Sequence, residues 1–357
     1  MRRFTIKLLP ADYGDSIWIE YGEGEKNHYV LIDGGTASTK PKILDQIQLI
    51  PEGKRVLDLI VVTHIDQDHI QGIQKILEDE HLTCTVRDFW FNGWRHLNDS
   101  PTSEEFGAKQ AELMTKDILR HNLPWNKAFG NEAVVINGGA LPVIKLQGGM
   151  TLTILSPTLK ALENLKPVWA SEVAKASLVP GYGDREEVTL NDPKIEVYGS
   201  SLPDVDALNK EPFQEENSAA NASSIAFIAE YGEKRALFLG DAQPSRIISS
   251  LRSIQKTGKI SFDFIKVSHH GSSGNTSPEL LDLIDCKLFG ISTSGTRFFN
   301  PKLDTIARIV KRTGPNTQLL FNYTSDYNRV WNASTLKLIH RYEAKYPSNE
   351  GIQVDLC

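Results

Sequence analysis

The stretch Leu57-Asp58-Leu59-Ile60-Val61-Val62-Thr63-His64-Ile65-Asp66-Gln67-Asp68-His69-Ile70 decides the fold. Its first half, Leu57 to Thr63, is a nearly continuous apolar run, which predicts a strand buried on both faces. Beyond His69, the residues Ile70, Ile73, Ile76 and Leu77 recur at helical spacing, so a helix follows. Between strand and helix lie two His and two Asp within six residues. So many ionisable groups beside a buried strand are costly unless a counter-charge compensates them. Open α/β sheets also place their chemistry on loops that leave the carboxyl ends of strands. The segment 64–69 therefore predicts a site.

Working outward, three further segments share one property: an apolar strand ends and imidazole or oxygen donors follow at once. They are Ile32-Asp33-Gly34-Gly35, Leu239-Gly240-Asp241 and Val267-Ser268-His269-His270-Gly271-Ser272. Taken alone, Asp33-Gly34-Gly35 and Gly240-Asp241 also read as tight turns, and His269-His270 as a surface pair. Laid side by side in one sheet, all four segments meet at one edge. Imidazole mixed with carboxylate suits Zn, Mn or Fe, whereas oxygen-only clusters suit Mg or Ca. Of the nine histidines, His64, His69, His269 and His270 cluster at strand ends. The other five, His28, His81, His96, His121 and His340, have no such company and read as surface or packing residues.

The whole chain frames this expectation. At 357 residues, 40% hydrophobic and 24% charged, it has the balance of an ordinary globular protein. No apolar run approaches the roughly 20 residues of a membrane helix, and the amino-terminal segment reads as a strand, not a signal peptide. Cys84, Cys286 and Cys357 form no CxxC pair, which argues against a disulfide framework or a thiolate zinc site and for a reducing compartment. A cytoplasmic location away from membranes is expected. The net charge of -6 does not favour broad electrostatic binding to nucleic acid. Lys302, Arg308, Lys311 and Arg312 on one predicted helix read either as a local phosphate track or as solvated charges.

Periodicity predicts a helix over 104–121, a strand at 151–155 and a hairpin of 224–231 with 235–239. A strand at 262–268 follows, then helices at 278–284, 302–312 and 334–345 alternating with strands at 287–292 and 318–322. Residues 158–220 are polar, hold several Pro and Gly and show no sustained periodicity, which predicts a lid or flexible insertion in one domain spanning 1–357.

These segments, in this order, resemble the metallo-β-lactamase superfamily. Its second motif is His-x-His-x-Asp-His, and here His64-x-Asp66-x-Asp68-His69 stands in that place. Aspartate at the second position is similar to the branch containing the hydrolase domain of ComEC-type DNA-uptake proteins. Gly14-Asp15-Ser16, Ile32–Gly35, Asn221 with Ser223-Ser224 before Gly240-Asp241, and Ser268–Ser272 match further motifs of that branch. The resemblance covers about residues 4–75 and 221–312. It implies an αββα sandwich, an α/β fold of two mixed sheets flanked by helices. It also implies two divalent metal ions, Zn or Mn. His64 and Asp66 would face one ion; Asp68, His69 and either His269 or His270 would face the other. Asp241 would bridge, and Asp33 would orient the ligands from behind.

Two departures matter. No third-motif histidine is present, and Asn217 or Asn221 stands in that region, so the first metal is expected to bind weakly or with substrate. A His-Pro of the branch is Asn300-Pro301 here, with Arg297 as a replacement contact to substrate. The resemblance implies hydrolysis of a phosphodiester, with DNA or RNA as first candidates, by a metal-activated hydroxide with Asp68 and Asp241 in its shell. His270 or His269 would assist the departing oxygen. Two other readings compete: an accessory, non-catalytic subunit among partner proteins of a bacterial defence cassette, and a lactone or carbonyl-ester hydrolase.

Overall fold

The apolar run becomes the strand Leu59–Val61, buried on both faces. Leu59 and Val61 join one hydrophobic cluster, whereas Ile60 and Val62 join another. A strand with two apolar faces must be covered on both sides, and that requirement builds the layers of the molecule. The computed structural model describes residues 2–97, 109–175 and 202–357.

Leu59–Val61 lies in a six-stranded sheet ordered Ile352–Asp355, Arg2–Leu8, Ile17–Glu23, Lys26–Ile32, Leu59–Val61, Phe89–Trp90. The first three pairings are antiparallel and the last two parallel. The second sheet has eight strands. Tyr342–Lys345, Thr317–Phe321, Leu288–Ile291, Phe264–Lys266 and Lys234–Phe238 run parallel, then Ala226–Tyr231, Thr151–Ser156 and Val143–Lys145 continue antiparallel. Phe4, Ile19 and Ile32 of the first sheet pack with Ile154, Phe227 and Phe238 of the second in the central core. Helices Lys40–Gln48 and Gln67–Leu77 cover the outer face of the first sheet through Ile43, Ile47, Ile70 and Ile73. Helices Pro244–Ile254, Pro278–Leu283 and Leu303–Thr313 cover the second through Ile247, Leu280 and Ile306. The layering is helix, sheet, sheet, helix, as the resemblance implied. No described helix is long and apolar enough to cross a membrane.

Three expectations need correction, and a fourth, the helix over 104–121, is seen in part. The helix anticipated over 334–345 stops at His340; Arg341 is left-handed, and Tyr342–Lys345 turns into the edge strand of the eight-stranded sheet. Local pattern could not tell a helix end from an edge strand whose partner is distant in sequence. The helix anticipated over 104–121 is described as Lys109–Arg120, and 98–108 lie outside the described residues.

The segment 158–220 begins with the helix Leu159–Lys175, in which Leu162, Leu165 and Trp169 are buried at helical spacing despite Pro167. That periodicity contradicts the reading of the whole segment as patternless. Its centre, 176–201, lies outside the described residues, and the helices Val205–Lys210 and Ala219–Ala222 follow. Finally, the basic helix does not offer a phosphate track. Arg308 is buried and paired with Asp304, Lys311 meets Asp206, and Arg312 meets Asp282, so three of its cations are already neutralised.

Candidate metal centre

The parallel pairing of Lys26–Ile32 with Leu59–Val61 brings Asp33 beside the segment starting at Thr63. The parallel pairing of Lys234–Phe238 with Phe264–Lys266 brings Asp241 beside His269 and His270. The two sheets face each other, so all four segments meet at one rim. Helix Gln67–Leu77 holds Asp68 in its first turn, where the helix dipole favours a carboxylate, and His69 beside it. Glycine makes the close approach feasible: a Cβ on Gly14 would lie 1.9 Å from the Asp68 carbonyl oxygen, whose partner is the Asp15 amide. His269 and His270 both take left-handed backbone conformations, with φ of 46° and 53°. Such conformations cost non-glycine residues about 1–3 kcal/mol each and tend to persist at functional sites.

Four imidazoles converge. The Nε2 atoms of His69, His269, His64 and His270 lie 3.4, 3.6, 3.7 and 3.9 Å from a single atom, Asp241 Oδ2. Each ring is held from behind at Nδ1. His69 donates to Asp33 Oδ2 at 2.8 Å, and His64 reaches the Thr63 hydroxyl at 3.0 Å, which itself donates to Asp33. His270 donates to the Ser292 carbonyl at 3.0 Å with Asp15 Oδ1 at 3.2 Å, and His269 meets Glu216 Oε2 at 2.7 Å and Asn275 Oδ1 at 2.9 Å. An acceptor at Nδ1 fixes the tautomer that leaves the Nε2 lone pair facing inward. Carboxylates complete the ring: Asp66 Oδ2 is 3.4 Å from His64 Nε2, and Asp68 Oδ2 is 3.3 Å from His270 Nε2.

This arrangement fits divalent cations. His69 Nε2 and His270 Nε2 stand 3.2 Å apart, and two inward lone pairs at that distance repel unless a cation or proton lies between them. His64 Nε2, Asp241 Oδ1 and Asn221 Oδ1 are buried without a hydrogen-bond partner, which is costly in a protein interior. Buried carboxylates and imidazoles with oriented Nδ1 atoms are a donor set that suits divalent metals such as Zn, Mn or Fe. His64, His69 and Asp241 lie close enough to share one ion, and so do Asp15, His69 and His270.

Protons fill the same role when metal is absent. Burial disfavours the charged imidazoles, but carboxylates outweigh it: Asp241 and Glu216 lift His269 to about 9, and Asp15 and Asp241 lift His270 to about 10. Burial likewise opposes ionisation of Asp241, yet the imidazoles hold it well below the usual carboxylate range. The sign follows. Histidines whose folded values are raised stabilise the fold fully below the unfolded value of about 6.5, and lose that contribution as pH rises through their folded values. Chelator-treated protein is therefore expected to lose thermal stability between pH 7 and 10. Saturating Zn or Mn should flatten that decline, because bound metal replaces the protons. A scan of thermal midpoint against pH, with and without metal, checks it.

Of the residues anticipated from sequence, His64, Asp66, Asp68, His69, Asp241, His269, His270 and Asp33 are brought together. Asn221 lies at the rim, its Nδ2 donating to Glu216 and standing 3.4 Å from His269 Nδ1. Arg297 is not in the cluster. It is exposed, its guanidinium 5.2 Å from the rings of Tyr13 and Phe298 and bonded to the Tyr13 hydroxyl. Asp15, Lys266 and Glu216 were missed. Asp15 was visible only as part of a quoted tripeptide, and Lys266 only as a cation inside an apolar strand. Glu216 left no sequence signal.

Fold and site together define a two-sheet αββα protein with an imidazole and carboxylate centre at the sheet rim. The sequence model of the metallo-β-lactamase superfamily matches residues 9–82. Over those residues the chain is similar to that superfamily. A hydroxyacylglutathione hydrolase of Psychromonas ingrahamii is 29% identical over 139 residues, 38% of this chain and 50% of that protein. A hydroxyacylglutathione hydrolase of Photobacterium profundum is 33% identical over 72 residues, 20% of this chain and 25% of that protein. The chain thus spans half of one curated relative and a quarter of the other. Among solved structures, the metallo-β-lactamase fold protein YhfI from Bacillus subtilis aligns over 99% of this chain and 100% of its own at 12% identity, with a TM-score of 0.44. Zn-bound PqqB from Methylobacterium extorquens aligns over 99% and 100% at 12% identity, with a TM-score of 0.42.

Proposed function

We propose that this protein is a metal-dependent hydrolase of phosphodiesters, holding two divalent ions, Zn or Mn. The observation that carries the hydrolase reading is the convergence of four Nε2 atoms on Asp241 Oδ2. Two ions held there would supply Lewis acidity, lowering the pKa of water in the cleft and offsetting negative charge in the transition state. His64, His69, His269, His270, Asp66, Asp68 and Asp241 would hold them, and Asp33 fixes the His69 ring from behind. Asp68 Oδ2, 3.3 Å from His270 Nε2, is the carboxylate oxygen we assign to accept a proton from the attacking water. Strand-end burial of His69, His270 and Asp241 keeps bulk water from screening these charges. The phosphodiester assignment, and with it the ComEC-like branch, rests on Asp66 replacing the histidine of the usual second motif. Nucleic acid is the first substrate class, and no electrostatic track on the helix Leu303–Thr313 supports it.

One observation favours a second reading, thioester hydrolysis: both curated relatives reported above are hydroxyacylglutathione hydrolases. The test compares bis-p-nitrophenyl phosphate, single- and double-stranded DNA, and a hydroxyacyl thioester of glutathione. Each is assayed with Zn, Mn and Mg, beside an Asp68→Ala/His69→Ala double variant. Phosphodiester turnover that needs metal and vanishes in the variant is expected. Turnover of the thioester alone would move the assignment to the second reading. Full metal occupancy without any turnover would favour an accessory subunit.

A further inference from the structure

The segment leading into the short helix Ala219–Ala222 is tied down at several points. Ser245 donates to Glu215 through its amide and its hydroxyl, both at 2.7 Å. Gln243 Nε2 donates to the Glu216 carbonyl at 2.8 Å, and the Glu216 amide reaches the Gly274 carbonyl at 3.3 Å. The approach is close at Gly274, where a Cβ would stand a tight 3.1 Å from the Glu216 backbone nitrogen. The result is a strap that delivers one carboxylate to the rim. Glu216 Oε2 lies 2.7 Å from His269 Nδ1, and Glu216 Oε1 accepts from the Asn221 amide. The opposite nitrogen of the same ring, His269 Nε2, lies 3.6 Å from Asp241 Oδ2.

The other three imidazoles divide differently. His69 and His270 stand 3.2 Å apart beside Asp68, and His64 stands with Asp66. His64 and Asp66 offer one imidazole and one exposed carboxylate, a thin donor set for a metal that prefers four ligands. His269, like His69, has no ion pair with Asp66 or Asp68, and its ring is the one oriented by a carboxylate from the strap.

We propose that Glu216 is the positioning residue of His269 as a metal ligand, so the strap forms part of the metal centre. Glu216 holds the proton at His269 Nδ1 and points the Nε2 lone pair at the shared Asp241 oxygen. Asn221 keeps Glu216 in place through its side-chain nitrogen. The proposal rests on the metal-dependent reading above, and its test separates the two.

The experiment is a metal titration of the full chain, with bound Zn and Mn counted by mass spectrometry at buffered free-metal concentrations. Two ions are expected for the unaltered protein. Glu216→Gln should weaken one of them about 10- to 100-fold, the usual effect of losing a carboxylate behind a ligating histidine, and leave the other at its original affinity. Glu216→Asp should restore part of the loss. His269→Ala should remove the same ion that Glu216→Gln weakens, and His270→Ala the other. Circular dichroism and the thermal midpoint of the chelated variants establish that each folds. Unchanged affinity for both ions in Glu216→Gln and His269→Ala would overturn the proposal and leave the metal-dependent reading intact. No metal bound by the unaltered protein would overturn both.

Discussion

Asp241→Ala is expected to cost the protein its metal centre. Removing this carboxylate takes away the one atom within 3.9 Å of all four inward imidazole nitrogens. Deleting one member of a buried charged pair costs about 3–5 kcal/mol, which corresponds to an affinity loss of roughly a hundred- to a few-thousandfold. Because four imidazoles share the loss, both ions should weaken, and hydrolysis should fall at least in proportion. Asp241→Asn, which keeps the shape and removes the charge, should show most of the same loss. Equilibrium metal binding and initial rates at saturating metal are the measurements. Two ions held at the original affinity by Asp241→Ala would mean that the centre is not organised around this residue.

The second large effect is predicted directly behind the rim. Lys266 and Asp15 are buried almost completely and face each other as an ion pair, with Lys266 also donating to the Val267 carbonyl. Burial opposes ionisation of Asp15, yet Lys266 and His270 hold its carboxyl below the usual range. Lys266→Met would remove the main counter-charge of that buried carboxylate, so a loss of about 3–5 kcal/mol in folding stability is expected by chemical denaturation. Pairing it with Asp15→Leu should recover most of the stability, because two apolar side chains replace a desolvated pair. Function should not recover with it. Asp15 Oδ1 lies 3.2 Å from His270 Nδ1, and losing a carboxylate behind a ligating histidine lowers metal affinity about 10- to 100-fold. A double variant that is stable but binds metal weakly is the expected result; one that is stable and binds normally would reduce Asp15 to a structural role.

Both predictions concern residues whose importance differs in visibility. Asp241 was legible because it follows an apolar strand at once, as do Asp33, His64 and His269. Strand burial forces the chain to leave the sheet edge, and donors placed at that point need no distant information to be recognised. The helix Gln67–Leu77 was legible for the same local reason, its apolar residues recurring every three or four positions. Lys266 could be noticed only as an anomaly, since the strand that carries it gives no hint of its partner 251 residues away. Glu216 could not be noticed at all, as nothing in a polar stretch distinguishes a strap residue from a solvated one.

The sequence by itself determined the two-sheet layering, the rim on which the donors collect and the mixed imidazole and carboxylate chemistry. The rim and its chemistry follow from residue type at strand ends, and the layering from the resemblance of those motifs to the metallo-β-lactamase superfamily. Only the tertiary structure decided which nitrogen of each imidazole faces the cleft, that His270 stands beside Asp68 while His269 is held by Glu216, and that the basic helix is neutralised. Only it showed Tyr342–Lys345 and Ile352–Asp355 as strands closing the edges of the two sheets. These properties depend on partners far apart in the chain, and pairing across such distances is fixed by packing and charge compensation in the assembled core, which no local pattern records.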